Sequence, residues 1–311
     1  MGKLRSIGGT PVAEGVRLES GTATVFAVRN EKKDIAVRIR REPRALLRAG
    51  MKIPLVRGVV RLFRDLVRFF DGISESAELE PQQIVRGNAA ERWIARVLRV
   101  RPQTIAAWIS AILVPVIAAI CLWAAPRGAE LFLRQYFDMT RAAVNAVVAV
   151  IRILCALSFV GLTARLRVVN RLNMYRGAIN QVLNCYEARE EISVENAAQY
   201  PIIGRRSECA YLSIVLILSM ALFPLLHPSG ILMDALQRIA IVLGVAAIVN
   251  EPIHAMECAE MTLPVRIIRA PYNLLQYMTC AKAHPQMLEV AVCAFNAVLG
   301  KITEESENDH R

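Results

Sequence analysis

The chain has 311 residues, 55% of them hydrophobic, with 38 Lys and Arg against 27 Asp and Glu, a net charge of +11. Mean hydropathy is +0.37, which excludes global disorder, because disordered chains combine few apolar residues with dense charge. A charge-rich and a charge-poor part share the chain: residues 1–101 hold 21 basic and 11 acidic residues, whereas 102–311 hold 17 and 16.

Residues 1–102 make up the basic amino-terminal region. Glu14 lies in a Gly-flanked turn there. Thr22–Val28 and Asp34–Arg40 are β-branched or alternating runs, and the polar stretch between them predicts a hairpin within a small sheet. Val56–Phe70 then puts Arg57, Arg61, Arg64 and Arg68 at i, i+4, i+7 and i+11, one stripe of an otherwise apolar helix. Such a helix suits the surface of an anionic leaflet, the four Arg facing lipid. Glu91–Arg101 repeats the style. Nucleic acid is not expected as a partner, because the aromatics sit on the apolar side rather than on a basic groove.

Residues 103–253 read as a membrane domain. Thr104–Ala125 runs 22 residues without a charge, enough to cross the ~30 Å hydrocarbon core. Trp108 and Trp123 lie near its ends, where an aromatic belt belongs. Further spans are expected at 142–164, 209–226 and 236–253, around a cytoplasmic loop at 165–208. Arg152 should face protein or water, since a central Arg is costly in lipid. With four spans and both termini inside, the cytoplasmic segments hold 33 of the 38 Lys and Arg, and the outer loops 126–141 and 227–235 hold three and none. That is the positive-inside pattern. Residues 1–20 lack an apolar h-region, so no cleavable signal is expected. The seven Cys show no C-x-x-C spacing and should be reduced. Residues 254–311 form the cytoplasmic carboxy-terminal region. The fold class is therefore a mainly α-helical polytopic membrane protein of about four spans, with a small cytoplasmic amino-terminal β-hairpin or sheet and amphipathic interfacial helices. Its expected location is the bacterial cell membrane.

Several segments carry a family resemblance: Ile7–Val16, Lys52–Val60, Asn173–Glu187, Asn250-Glu251, Pro271–Thr279 and Gln286–Val292. In this order they resemble the YqhQ-like bacterial membrane proteins, a domain of unknown function guessed to be a metal-dependent enzyme. The resemblance implies a helical Y-H-G-A-E-H-K-x-x-x-x-Y-E motif and a later H-P-R-C-G-T-S-F. Two His and a Glu on one helical face could chelate a metal. This chain keeps Tyr175, Gly177, Ala178, Tyr186 and Glu187. It places Arg176 and Asn180 where the family has His, Ile179 for the Glu and Gln181 for the Lys, and Gly204–Tyr211 replaces the second motif. Arg stays protonated and Asn is a weak ligand, so no metal site and no cofactor are expected, a divalent metal being the one the resemblance raises.

Tyr175, Arg176, Asn180 and Tyr186 remain as a candidate binding set. Glu14, Glu187 and Glu251 are the candidate acid/base groups, with Arg176 expected to pair with Glu187 or Glu14. The reading leans to a non-catalytic binding, scaffold or regulatory member, partnered by an intact paralogue or by itself. The alternatives are a metal- or carboxylate-dependent enzyme at the cytoplasmic face, or a small transporter using Arg152 and Glu251 as a pair.

Overall fold

A computed structural model describes residues 7–20, 23–30, 34–41, 53–79, 113–137, 139–205, 207–226, 230–258 and 263–308. The second basic helix expected at Glu91–Arg101 and the first part of the 104–125 span lie outside them.

The chain begins with a four-stranded antiparallel meander, β1 (Gly8–Val12), β2 (Gly15–Ser20), β3 (Ala23–Arg29) and β4 (Ile35–Arg41). The hairpin expected from the sequence is the β3–β4 pair, with Arg29 opposite Ile35. Glu14 closes the β1–β2 turn with a positive φ of 54°. Strand alternation gives the sheet two different faces. Val16 and Leu18 pair with Ala27 and Val25 on one face, and Arg17 and Glu19 pair with Phe26 and Thr24 on the other.

Nine helices follow among the described residues: α1 (Val56–Leu79), α2 (Leu113–Tyr136), α3 (Arg141–Ala164), α4 (Arg167–Glu187), the single turn α5 (Val194–Ala197), α6 (Glu208–Leu222), α7 (Ile231–Cys258), α8 (Leu263–Thr279) and α9 (Pro285–Asn308). A π-helical stretch, Ala119–Ala124, interrupts α2. Thr140, Ser193 and Ser207 cap α3, α5 and α6 by accepting from the amides of Ala143, Asn196 and Ala210, which satisfies donors that the first helical turn leaves open.

Among the described residues, three helices, α2, α3 and α7, are long and apolar enough to cross a membrane. The run expected as a span at 209–226 forms the 15-residue α6 and a 3₁₀ turn, Phe223–Leu225. It is shorter because Pro224 follows the helix closely and removes a backbone donor. The first span also shifts: α2 continues to Tyr136, through much of what reads as an outer loop.

Among the described residues, the packing forms two hydrophobic cores. In the first, Val16, Leu18, Val25 and Ala27 of the sheet meet Tyr175, Ile179 and Val182 of α4 and Leu288, Ala291 and Phe295 of α9. Segments far apart in sequence thus share one interior. In the second, Leu62 of α1, Ala156 of α3, Tyr211 and Val215 of α6, Ala246 of α7 and Leu275 of α8 pack together.

α1 joins the two, and it corrects the expectation for the basic stripe. Arg57, Arg61, Arg64 and Arg68 face protein, their side chains 10–23% exposed. Arg57 grips Glu251 and Arg68 grips Glu19. Arg61 reaches Asn250 and lies over the Tyr211 ring, 4.6 Å from its centroid. All three of Arg61, Arg64 and Arg68 converge on Asp65, at 3.4–3.8 Å. Burial pushes the Asp65 carboxyl up, against the pull of the three guanidiniums. Phe63, Leu66 and Val67 are the exposed side chains instead. Asp65 is local, but the other two acidic partners, Glu19 and Glu251, come from β2 and α7, which local periodicity cannot reveal.

Candidate functional site

Helix α4 carries the motif residues, and its buried face is unusually polar: Asn173, Asn180 and Gln181 are 2–4% exposed. A buried amide is costly unless bonded, and Asn180 and Gln181 spend their donors on a neighbouring strap, residues 198–204. Asn180 donates to the Ile202 carbonyl at 2.8 Å, and Gln181 to the Ala198 and Tyr200 carbonyls at 3.3 and 3.1 Å. Asn184 donates to those of Pro201 and Ile203, both at 2.8 Å. From the other side, Gln276 of α8 both accepts from the Gly204 amide and donates to its carbonyl. Tyr272 does the same for Ser207. The strap is clamped between α4 and α8.

Arg176 does not pair with Glu187 or Glu14. Its guanidinium donates to the Asn173 Oδ1 at 2.8 Å and to the Thr279 carbonyl. Glu187 pairs with Arg205 in the open, at 3.3 Å. Glu14 is held by Arg171 in a two-bond fork and receives the Tyr175 hydroxyl at 3.4 Å. Burial pushes the Tyr175 phenol up, and the Glu14 charge adds to it. Tyr186 stacks on Phe295, ring centroids 5.0 Å apart, and belongs to the packing. Glu251 receives Arg57 and the Leu55 amide. The three carboxylates therefore sit with three separate Arg partners and do not converge. Arg152 has Glu130, Arg238 and Arg127 as its charged neighbours, so the expected Arg152–Glu251 pair is not formed.

The resemblance implies a metal on this face of α4. At the motif positions stand a guanidinium, an isoleucine and two amides whose nitrogens point at carbonyls, and such a set does not fit a metal. Among the described residues, no three His, Cys, Asp or Glu side chains gather as a metal site.

Beside the motif lies a cleft of about 530 Å³, lined by Gly161, Ala164 and Arg165 at the end of α3, Asn170 and Asn173 of α4, Tyr277 and Met278 of α8, and Cys280 and Ala281. Burial pushes the Cys280 thiol up to about 11, and its Sγ accepts from Asn180 at 3.6 Å. Sequence reasoning missed Arg171, Asn184, Gln276 and the cleft residues. Asn180, Gln181 and Asn184 fall at helical spacing, a polar stripe legible in principle. The α8 contribution, nearly a hundred residues away, is not.

Among the described residues, fold and site together define a helical protein with three helices of membrane-spanning length and a separate sheet-bearing core. The chain belongs to the family described as "Protein of unknown function (DUF1385)", whose pattern matches residues 53–301. It is similar to the "Uncharacterized protein YqhQ" of Bacillus subtilis (strain 168), 22% identical over 166 residues. That stretch covers 53% of this chain and 52% of the relative, so the chain spans about half the length of the curated relative it matches. No solved structure matches the chain.

Proposed function

We propose that this chain is a multi-pass protein of the bacterial cell membrane, both termini cytoplasmic, serving as a non-catalytic binding, scaffold or regulatory member of its family. One observation carries the reading. The positions where the resemblance implies metal ligands are occupied by Arg176, Ile179 and Asn180: Ile179 is buried in the core, and the other two hold backbone carbonyls in place. The motif helix thus keeps its shape by hydrogen bonding where relatives would chelate.

Packing supports the topology. The sheet, α4 and α9 share one interior, which favours the segments before α2, after α3 and after α7 lying on one side of a bilayer. Helix α6 with its 3₁₀ turn reaches roughly 28 Å, at about 1.5 Å per α-helical and 2.0 Å per 3₁₀ residue. That is close to the ~30 Å hydrocarbon thickness, which lets α6 and α7 cross as an out-and-back pair, like α2 and α3. Only 11–17% of the apolar windows of α2, α3 and α7 is buried, a surface suited to lipid, to a second copy or to an intact paralogue. The Lys and Arg distribution puts the shared interior inside.

Metal analysis of the full chain purified in detergent tests the first part. No stoichiometric metal is expected, and zinc or iron bound one per chain and lost in Asn180→Ala would overturn it. Labelling of intact cells with an impermeant maleimide tests the second. Gly230→Cys should react from outside and Lys282→Cys only after permeabilisation, and the reverse pattern would refute the topology.

A further inference from the structure

We infer that the cleft between α3, α4 and α8 is a binding site for a phosphate-bearing ligand. Its lining contains one cation, Arg165, and no carboxylate. Among the described residues the Arg165 side chain has no hydrogen-bond or ion-pair partner, and neither has that of Asn170. Asn173 accepts from Arg176 through Oδ1, which leaves its Nδ2 as the donor turned to other use. Arg176 stands directly behind it, fixed to the Thr279 carbonyl. Residues 165–176 hold four Arg and no acidic residue. Three of them have partners elsewhere, Arg171 with Glu14, Arg176 with Asn173 and Thr279, and Arg167 as well.

The chemistry of this wall selects the ligand. A planar guanidinium beside carboxamide donors matches the fixed oxygens of a phosphate, as Arg does at bidentate oxyanion sites. A cationic ligand would meet Arg165 with no compensating charge. The volume falls within the range of small-molecule sites, about 300–1,000 Å³. Position adds the source. Gly161, Ala164 and Arg165 end a helix of spanning length, the level of lipid headgroups, and Tyr277, 64% exposed, lines the open side. A phospholipid headgroup and a soluble phosphate ester share this chemistry. The lipid source rests on the membrane reading above, whereas the soluble source does not.

Native mass spectrometry of the full chain in detergent decides it, with phosphatidylglycerol, phosphatidylcholine and glycerol 3-phosphate as separate probes. Phosphatidylglycerol or glycerol 3-phosphate should bind, and whichever binds more tightly names the source. Arg165→Gln should weaken that binding about tenfold, the loss of one charge-assisted contact. Asn170→Asp, which puts a carboxylate in the cleft, should weaken it at least as much, and serves if Arg165→Gln does not fold. Equal binding by wild type and both variants would overturn the proposal. So would a failure of both phosphatidylglycerol and glycerol 3-phosphate to bind. Neither outcome bears on the metal analysis, so the two readings fail separately.

Discussion

Gly177 of α4 passes so close beneath Ala281 that a β-carbon at position 177 would stand 2.1 Å from the Ala281 carbonyl oxygen. The contact is locked by the Ala281 amide, which donates to the Asn173 carbonyl at 3.0 Å. The segment after α8 is thereby held against the motif helix, with Cys280 beside Asn180. Gly177→Ala must push that backbone away. It should destabilise the protein at the upper end of the ~1–3 kcal/mol that overpacking costs, read as a lowered midpoint in thermal unfolding, while Gly300→Ala, with open space around it, should not.

The Glu14–Arg171 fork ties the β1–β2 turn to α4. Glu14 is 7% exposed, so removing its cation leaves a buried carboxylate with only the Tyr175 hydroxyl. Arg171→Ala should cost roughly 3 kcal/mol, the lower end for a broken buried pair because Arg171 itself is partly solvated. Combining it with Glu14→Gln should recover part of the loss, and chemical denaturation of the single and double variants measures this.

Arg57 and Glu251 fasten α1 to the end of α7. A double-mutant cycle on Arg57→Ala and Glu251→Gln should return a favourable coupling, the double variant losing less than the sum of the two single losses. Limited proteolysis should cut near α1 faster in either single variant. Additive effects would mean that the pair is not held.

The Cys280 thiol sets a pH limit. Its folded value, about 11, lies above the ordinary 9.0, so the fold favours the protonated thiol. Stability from this source is complete below pH 9 and is lost as pH rises through 11. Wild type should therefore lose stability between pH 9 and 11 more steeply than Cys280→Ala in paired denaturation curves. Identical slopes would show that the thiol does not contribute.

What the sequence made legible was local in character. The strands at 23–41 and the apolar helices α3 and α7 follow from periodicity and residue type, which neighbours in sequence determine, whereas the replaced motif residues come from the resemblance. The partners were not legible. Arg176 had two acidic candidates nearby and took a carbonyl from α8; the Arg57–Arg68 stripe looked ready for lipid and was met by Glu251, Asp65 and Glu19. A charged side chain announces that it needs a counter-charge but not which element supplies it, and that choice is made only when distant segments pack. The length of α6 misled for a related reason, since hydropathy marks where apolar residues run and not where a Pro shortens the helix.

The inverted helix α1 has a mechanical meaning. Arg57 is pinned to α7 and Arg68 to β2, with eleven residues of helix, about 17 Å, between them. A rod fixed at both ends keeps its two anchors at constant separation. Tilting or sinking α7 against its surroundings must drag β2 along or tear one of the two pins, so the sheet is geared to the apolar bundle.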